Sequence, residues 1–125
     1  MADLQNFQTQ MAKERQEYAK FAKIQVLESF LPILDNLNLA LKQTPTELQD
    51  NSFIKGIEQI QKQLIKITEN LGLTAIPNNK LNPLHHEIIS SIPGTLDEII
   101  EVIEQGYTVG EKVIKPSKVV VGNGN

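Results

Sequence analysis

Phe53, Ile57, Ile60, Leu64, Ile67 and Leu71 step along the chain by 4, 3, 4, 3 and 4 residues, and Gly72 follows at once. That rhythm places one narrow apolar seam on a helix. Two apolar positions in seven are too few for one face of a globular core and suit a helix packed against other helices. Leu4, Phe7, Met11, Tyr18 and Phe21 keep the same rhythm upstream, with Glu14 in one slot where an apolar residue is expected. The first seventy-odd residues therefore read as bundle and coiled coil, and a seam of this kind calls for a partner.

Composition narrows the classes. Hydrophobic residues make up 40% of the 125-residue chain, aromatics 5%, and there is no Trp. These values suit an elongated, helix-rich protein better than a compact aromatic core. The net charge is −3, so there is no global pull toward nucleic acid or anionic membrane. Without cysteine the chain can form neither a disulfide framework nor a thiolate metal site. No apolar run reaches the roughly 18 residues that a spanning helix needs. The first residues carry Asp3 and lack a signal-peptide layout. The expected location is the cytoplasm, or an organelle matrix after processing.

Residues 3–42 lack interior Gly and are rich in good helix formers. Pro32 is the exception. A proline inside a helix costs roughly 3 kcal/mol, so a kink or short break is expected near Phe30–Pro32. The seam also changes phase there: Leu27, Phe30, Leu31, Leu34, Leu37 and Leu41 form a wider stripe, as a bundle requires. Residues 43–51, with Pro45, form the turn, and Asp50, Asn51 and Ser52 all offer capping oxygens. A second helix is expected from Ser52 to Leu71, ended by Gly72 in the left-handed position common after helices. The short link makes the two helices an antiparallel pair. Two such pairs would complete a four-helix bundle, with the upstream seams zipped in parallel.

After Gly72 the texture changes. Pro77, Pro83, Pro93 and Pro116 alternate with short Ile- and Val-rich runs at 73–76, 87–92, 99–106, 112–115 and 118–121. Such runs bounded by turn residues read as strands of a small all-β unit, with Val109-Gly110-Glu111 as a hairpin tip. Ile99, Ile100, Val102 and Ile103 could share a helical face, but their β-branching and the following Gly106 favour strand. The fold class is thus α+β. Residues 1–72 are expected to form a helical dimerisation region and 73–125 a small β domain. The dimer contacts expected are Leu4, Phe7, Met11, Tyr18, Phe21, Leu34, Leu37, Leu41, Phe53, Ile57, Ile60, Leu64 and Ile67.

Four segments carry a resemblance. Phe30-Leu-Pro-Ile-Leu-Asp-Asn-Leu-Asn-Leu-Ala-Leu41, Gly56-Ile-Glu58, Leu81-Asn-Pro-Leu-His-His-Glu87, and Gly106-Tyr-Thr-Val109 through Val119-Val-Val121 occur in the order and near the spacing of the GrpE family. GrpE proteins are the nucleotide-exchange factors of DnaK-type chaperones. The resemblance implies a parallel homodimer with a long paired helix, a four-helix bundle and one β domain per subunit. It also implies that the chain starts inside a helix which in the family extends further upstream. By the same resemblance the β domain grips the chaperone's ATPase domain and weakens its hold on ADP. No cofactor, nucleic acid or membrane is implied. Preferential affinity for the open conformation suffices to drive release, and ADP must weaken factor binding in the same ratio.

The resemblance assigns chaperone contact to Gly56, Ile103, Lys112, Lys115 and Val121. Gly56 costs a helix roughly 1 kcal/mol against Ala, so it suggests close backbone approach by the chaperone or by a neighbouring helix; drift at an exposed site is the alternative. Lys112 and Lys115 stand where the family commonly has arginine, keeping the charge and losing the planar fork. The alternative for both is a solvated strand face, and for Ile103 and Val121 it is core packing. Gln8-Thr9-Gln10 replaces a stretch often rich in arginine, which weakens any contact there. Glu14 in the seam points to an upstream coil that melts first on heating.

His85-His86-Glu87 is the only run with metal-ligand residue types. Neighbours on a strand point to opposite faces and cannot chelate together, and no third ligand stands out, so no metal is expected. The carboxylates Asp97, Glu98, Glu101 and Glu104 read as a solvated face without an accompanying nucleophile. No phosphate-cradling Gly-rich loop occurs. A non-enzymatic exchange factor is the leading reading; a coiled-coil scaffold or holdase for unfolded proteins is the alternative.

Overall fold

The computed structural model describes residues 2–125. Helix α1 runs Ala2–Lys42, a short 3-10 turn follows at Thr46–Leu48, and helix α2 runs Ser52–Asn70. Six strands complete the chain: β1 (Leu73–Ala75), β2 (His86–Leu96), β3 (Ile99–Glu104), β4 (Tyr107–Val109), β5 (Lys112–Lys115) and β6 (Ser117–Gly122). The α+β class expected from periodicity is the observed one.

Helix α1 does not break at Pro32. Ile24, Leu27, Leu31 and Leu34 lie on both sides of the proline, and all belong to one buried cluster. That shared burial outweighs the local penalty of the proline. The Ser29 hydroxyl also donates to the Val26 carbonyl at 2.6 Å in the turn just before it. Helix α2 starts where its cap dictates: Asn51 is extended, and its side chain accepts from the Phe53 amide at 2.8 Å. It stops at Gly72, whose φ of +99° an L side chain would resist. Gln61 on α2 donates to Asn38 on α1 at 2.6 Å, fixing the register of the pair.

The strands form two three-stranded sheets. The first has the order β1-β4-β5 and is antiparallel throughout, with Leu73 opposite Val109 and Val109 opposite Lys112. The second has the order β2-β6-β3. Here β2 lies parallel to β6, His86 opposite Ser117, while β3 lies antiparallel, Glu104 opposite Lys118. Strand β2 extends past Pro93 to Leu96, longer than the run expected at 87–92; β2 is an edge strand, where a missing amide is tolerated. The sheets meet at Gly106, where a Cβ would come within 2.3 Å of the Ser117 amide nitrogen. The Gly106 amide donates to the fully buried Ser117 hydroxyl at 2.8 Å.

The core lies between helix and first sheet. Ile24, Leu27, Leu31 and Leu34 of α1 cluster with Leu73, Tyr107 and Val109, and Leu64, Ile65 and Ile114 pack at the margin. Gly72 therefore marks a change of secondary structure, and one core spans it.

Candidate functional site: an open helical seam and a β unit pinned by charge

Two features stand out from this frame: apolar helix faces left uncovered, and a cluster of charges between α1 and the strands. On α1, Leu4, Phe7, Met11, Tyr18 and Phe21 are all exposed, Tyr18 at 75%. On α2 the seam divides. Leu64 packs at the core margin and Ile57 is half-buried, whereas Phe53, Ile60 and Ile67 are 72%, 53% and 57% exposed. Leu37 and Leu41 are half-buried. Leu34 is 1% exposed and belongs to the chain's own core, so it has no surface left for a second subunit.

Gly56 stands on the α2 face between Phe53 and Ile60, three residues from one and four from the other. A Cβ built on it meets nothing within 4 Å. No close approach among the described residues explains it, which leaves a neighbour in another molecule or drift.

The expected contact residues of the β unit fall into different environments. Lys112 is exposed beside the hairpin tip, where Gly110 has a φ of +59°. Ile103 is 46% exposed on β3 and lines an open groove of about 480 Å³ with Leu39 of α1, Ile89 and Lys118. Val121 lies in the central strand β6 at 3% exposure and packs as core.

Lys115 is engaged within the chain. Its ammonium donates to the Asp35 carboxylate of α1 and, at 2.6 Å, to Glu104 of β3. Glu104 also pairs with Lys118 of β6 at 3.2 Å. The side chains of Lys115 and Asp35 are only 19% and 20% exposed. The hydrogen bond from Lys115 holds the Glu104 carboxyl below its ordinary range, outweighing the opposite effect of burial, and Lys118 adds to it. Tyr107, buried beside this cluster, has its hydroxyl pushed above the usual phenol range by desolvation first and by the Asp35 charge second. The acidic run read as one solvated face is thus split: Glu101 pairs loosely with Lys42 at 3.7 Å in the open, and Glu104 is drawn inward.

The histidines form a structural knot. His85 lies in the turn before β2, not on a strand, so alternation of strand faces does not describe the pair. His86 is buried; its Nδ1 accepts from the Asn82 amide at 2.9 Å, and its Nε2 lies 3.1 Å from Asn78 Oδ1. Asn78 donates to Gln105 at 2.9 Å, and Gln105 donates to the carbonyls of Ile76 and Gly106. Through this relay the 77–85 loop is stitched to both sheets. Among the described residues no group of three or more His, Cys, Asp or Glu could hold a metal ion.

Comparison with known proteins agrees with the architecture. The GrpE family profile matches residues 1–123. The chain belongs to the GrpE family. The "Protein GrpE" of Methanosarcina barkeri is 34% identical over 128 residues, an alignment covering 96% of this chain and 60% of that protein. Those of Brevibacillus choshinensis and Thermus thermophilus are 29% and 27% identical, over 97% and 98% of this chain and 70% and 69% of their own lengths. The chain thus spans about three fifths to seven tenths of the curated relatives it matches. Within this GrpE-family chain, sequence reasoning missed Asp35 and Glu104 as partners of Lys115, and Lys118 as a second partner of Glu104. The available signal was the opposed charges of 97–104 and 112–118, but the β3–β6 register that joins them is not local. No helix among the described residues is long and apolar enough to cross a membrane.

Proposed function

We propose that the chain acts as a GrpE-type cochaperone: a non-enzymatic homodimer that binds the ATPase domain of a DnaK-type chaperone and accelerates ADP release. The observation that carries this reading is the family match along residues 1–123. The geometry supports it. The uncovered seams on α1 and α2 offer an apolar surface for a second copy, and exposed Lys112 with half-exposed Ile103 offers a mixed charged and apolar surface for a partner. The protein would work in the compartment of its chaperone, the cytoplasm or an organelle matrix.

The test is stopped-flow release of labelled ADP from a bacterial DnaK. Acceleration at substoichiometric dimer is expected, with Lys112→Met raising the concentration needed for half-maximal effect. No acceleration at saturating concentration sinks the reading and leaves the scaffold or holdase. Deleting 73–125 is a poor way to separate the two, because it would strip the cover from Ile24, Leu27, Leu31 and Leu34. Full-length point variants avoid that.

A further inference from the structure

The two sheets are joined to α1 by different physics. The first shares its core with the helix through Leu73, Tyr107 and Val109. The second faces the helix across the open groove, where Leu39, Ile89 and Ile103 remain 50%, 47% and 46% exposed. Charge bridges that gap. Lys115, on β5 of the first sheet, reaches Asp35 on α1 and Glu104 on β3 of the second sheet. One ammonium thus ties three elements together. Besides the joint between the two sheets at Gly106 and Ser117, the remaining polar contact with α1 is peripheral: Lys42 donates to the Val102 carbonyl at 3.4 Å and pairs with the largely exposed Glu101.

Loose apolar contact across a wide groove lets the second sheet tilt about its joint with the first at Gly106. A charge cluster with most of its water removed does not, because moving one member leaves the others partly buried and unpaired. We propose that Lys115 is a positioning residue, which fixes the second sheet on α1 through Asp35 and Glu104 and does not itself meet the partner. Ile103 rides on that sheet and Lys112 on the other, so the spacing of the two exposed contact candidates depends on this pin. Freed of it, the β unit spends a smaller fraction of its time in the binding geometry. Apparent affinity falls by that fraction, while the effect at saturation is unchanged.

The activity part of this proposal rests on the exchange-factor reading; the geometric part does not. The chain has no cysteine, so Gln25→Cys on α1 and Glu98→Cys at the second sheet give two unique spin-label sites. Full-length labelled chain is diluted with unlabelled chain so that only intrachain distances are read. Lys115→Met and Asp35→Asn are each expected to broaden the distance distribution, and the double variant no further. In ADP release, each single variant raises the half-saturating concentration about tenfold and the double variant by no more than that, since both break one cluster.

An unchanged distance distribution in Lys115→Met overturns the proposal. So do multiplying effects in the double variant, which would mean that Lys115 touches the partner directly. If the unsubstituted chain fails to accelerate ADP release, the exchange reading falls and the distances alone decide the pin. Should Lys115→Met lose its helix signal by circular dichroism, Asp35→Asn, which changes one oxygen to an amide, carries the distance test on its own.

Discussion

The two halves of α1 are chemically similar and structurally opposite. From Ile24 to Lys42 the helix buries Ile24, Leu27, Leu31 and Leu34 against α2 and the first sheet. From Ala2 to Lys23 every residue is exposed. Leu4, Phe7, Met11 and Phe21 are no less apolar than the buried four, so the difference lies in what stands opposite. Periodicity creates a face; only a neighbour turns it into stability. A solitary helix of some 20 residues is marginal in water because its nucleation cost is recovered mainly by packing. The downstream half is stabilised from within the chain. On the reading proposed above, the upstream half draws its stability from a second copy.

The sharpest test of this contrast is a pair of truncations. Leu27 is fully buried, and Leu27→Ala is expected to cost about 2–5 kcal/mol, transfer and cavity terms together. Met11→Ala, at an exposed site, should cost under about 0.5 kcal/mol in dilute solution. Urea titrations followed by circular dichroism at low protein concentration compare the two. Equal losses would mean that the upstream half is already covered in a single chain.

A smaller effect is expected at Phe21, 54% exposed on the upstream seam. Phe21→Ser removes apolar area from the proposed coil and should weaken self-association by roughly 10- to 30-fold, about 1.5–2 kcal/mol. Sedimentation equilibrium reads this directly. On heating, the upstream coil, already interrupted by Glu14, should lose helix before the core does and at a concentration-dependent temperature. A folded single subunit in dilute buffer, or one transition insensitive to concentration, would remove the distinction between the halves.

How much of this could be read beforehand follows the range of the interactions. The helices were legible because their signals are local: the 4-3 rhythm of α2, the capping oxygen of Asn51 and the stop at Gly72 are each set within a turn. The strands were legible as β-branched runs between prolines and glycines. The pairing was not. A parallel β2–β6 contact joins residues thirty apart, and no pattern inside either strand specifies it. The same blindness hid the cluster around Lys115. Asp35 lies eighty residues away from it, and each member alone looks like an ordinary surface charge. At Pro32 the local penalty was visible, and the burial that keeps the helix continuous through it was not.

A modest, pH-dependent effect is expected at that cluster, which lies in the packed half of the molecule. In the folded chain the Glu104 carboxyl is held below its ordinary value of 4.5, chiefly by the hydrogen bond from Lys115. The folded state therefore binds fewer protons than the unfolded one as pH falls through this range. The resulting stability is fully present above about pH 4.5 and disappears as pH drops through the folded value. With the Glu104 side chain 31% exposed, solvent screening limits the contribution to roughly 0.5–1 kcal/mol. Glu104→Gln should be less stable than the unsubstituted chain by that amount at neutral pH, and the gap should close on acidification. Self-association through the upstream seam should not respond, since no member of the cluster lies there. A gap that stayed constant down to strongly acidic pH would show that the glutamate contributes through shape rather than charge.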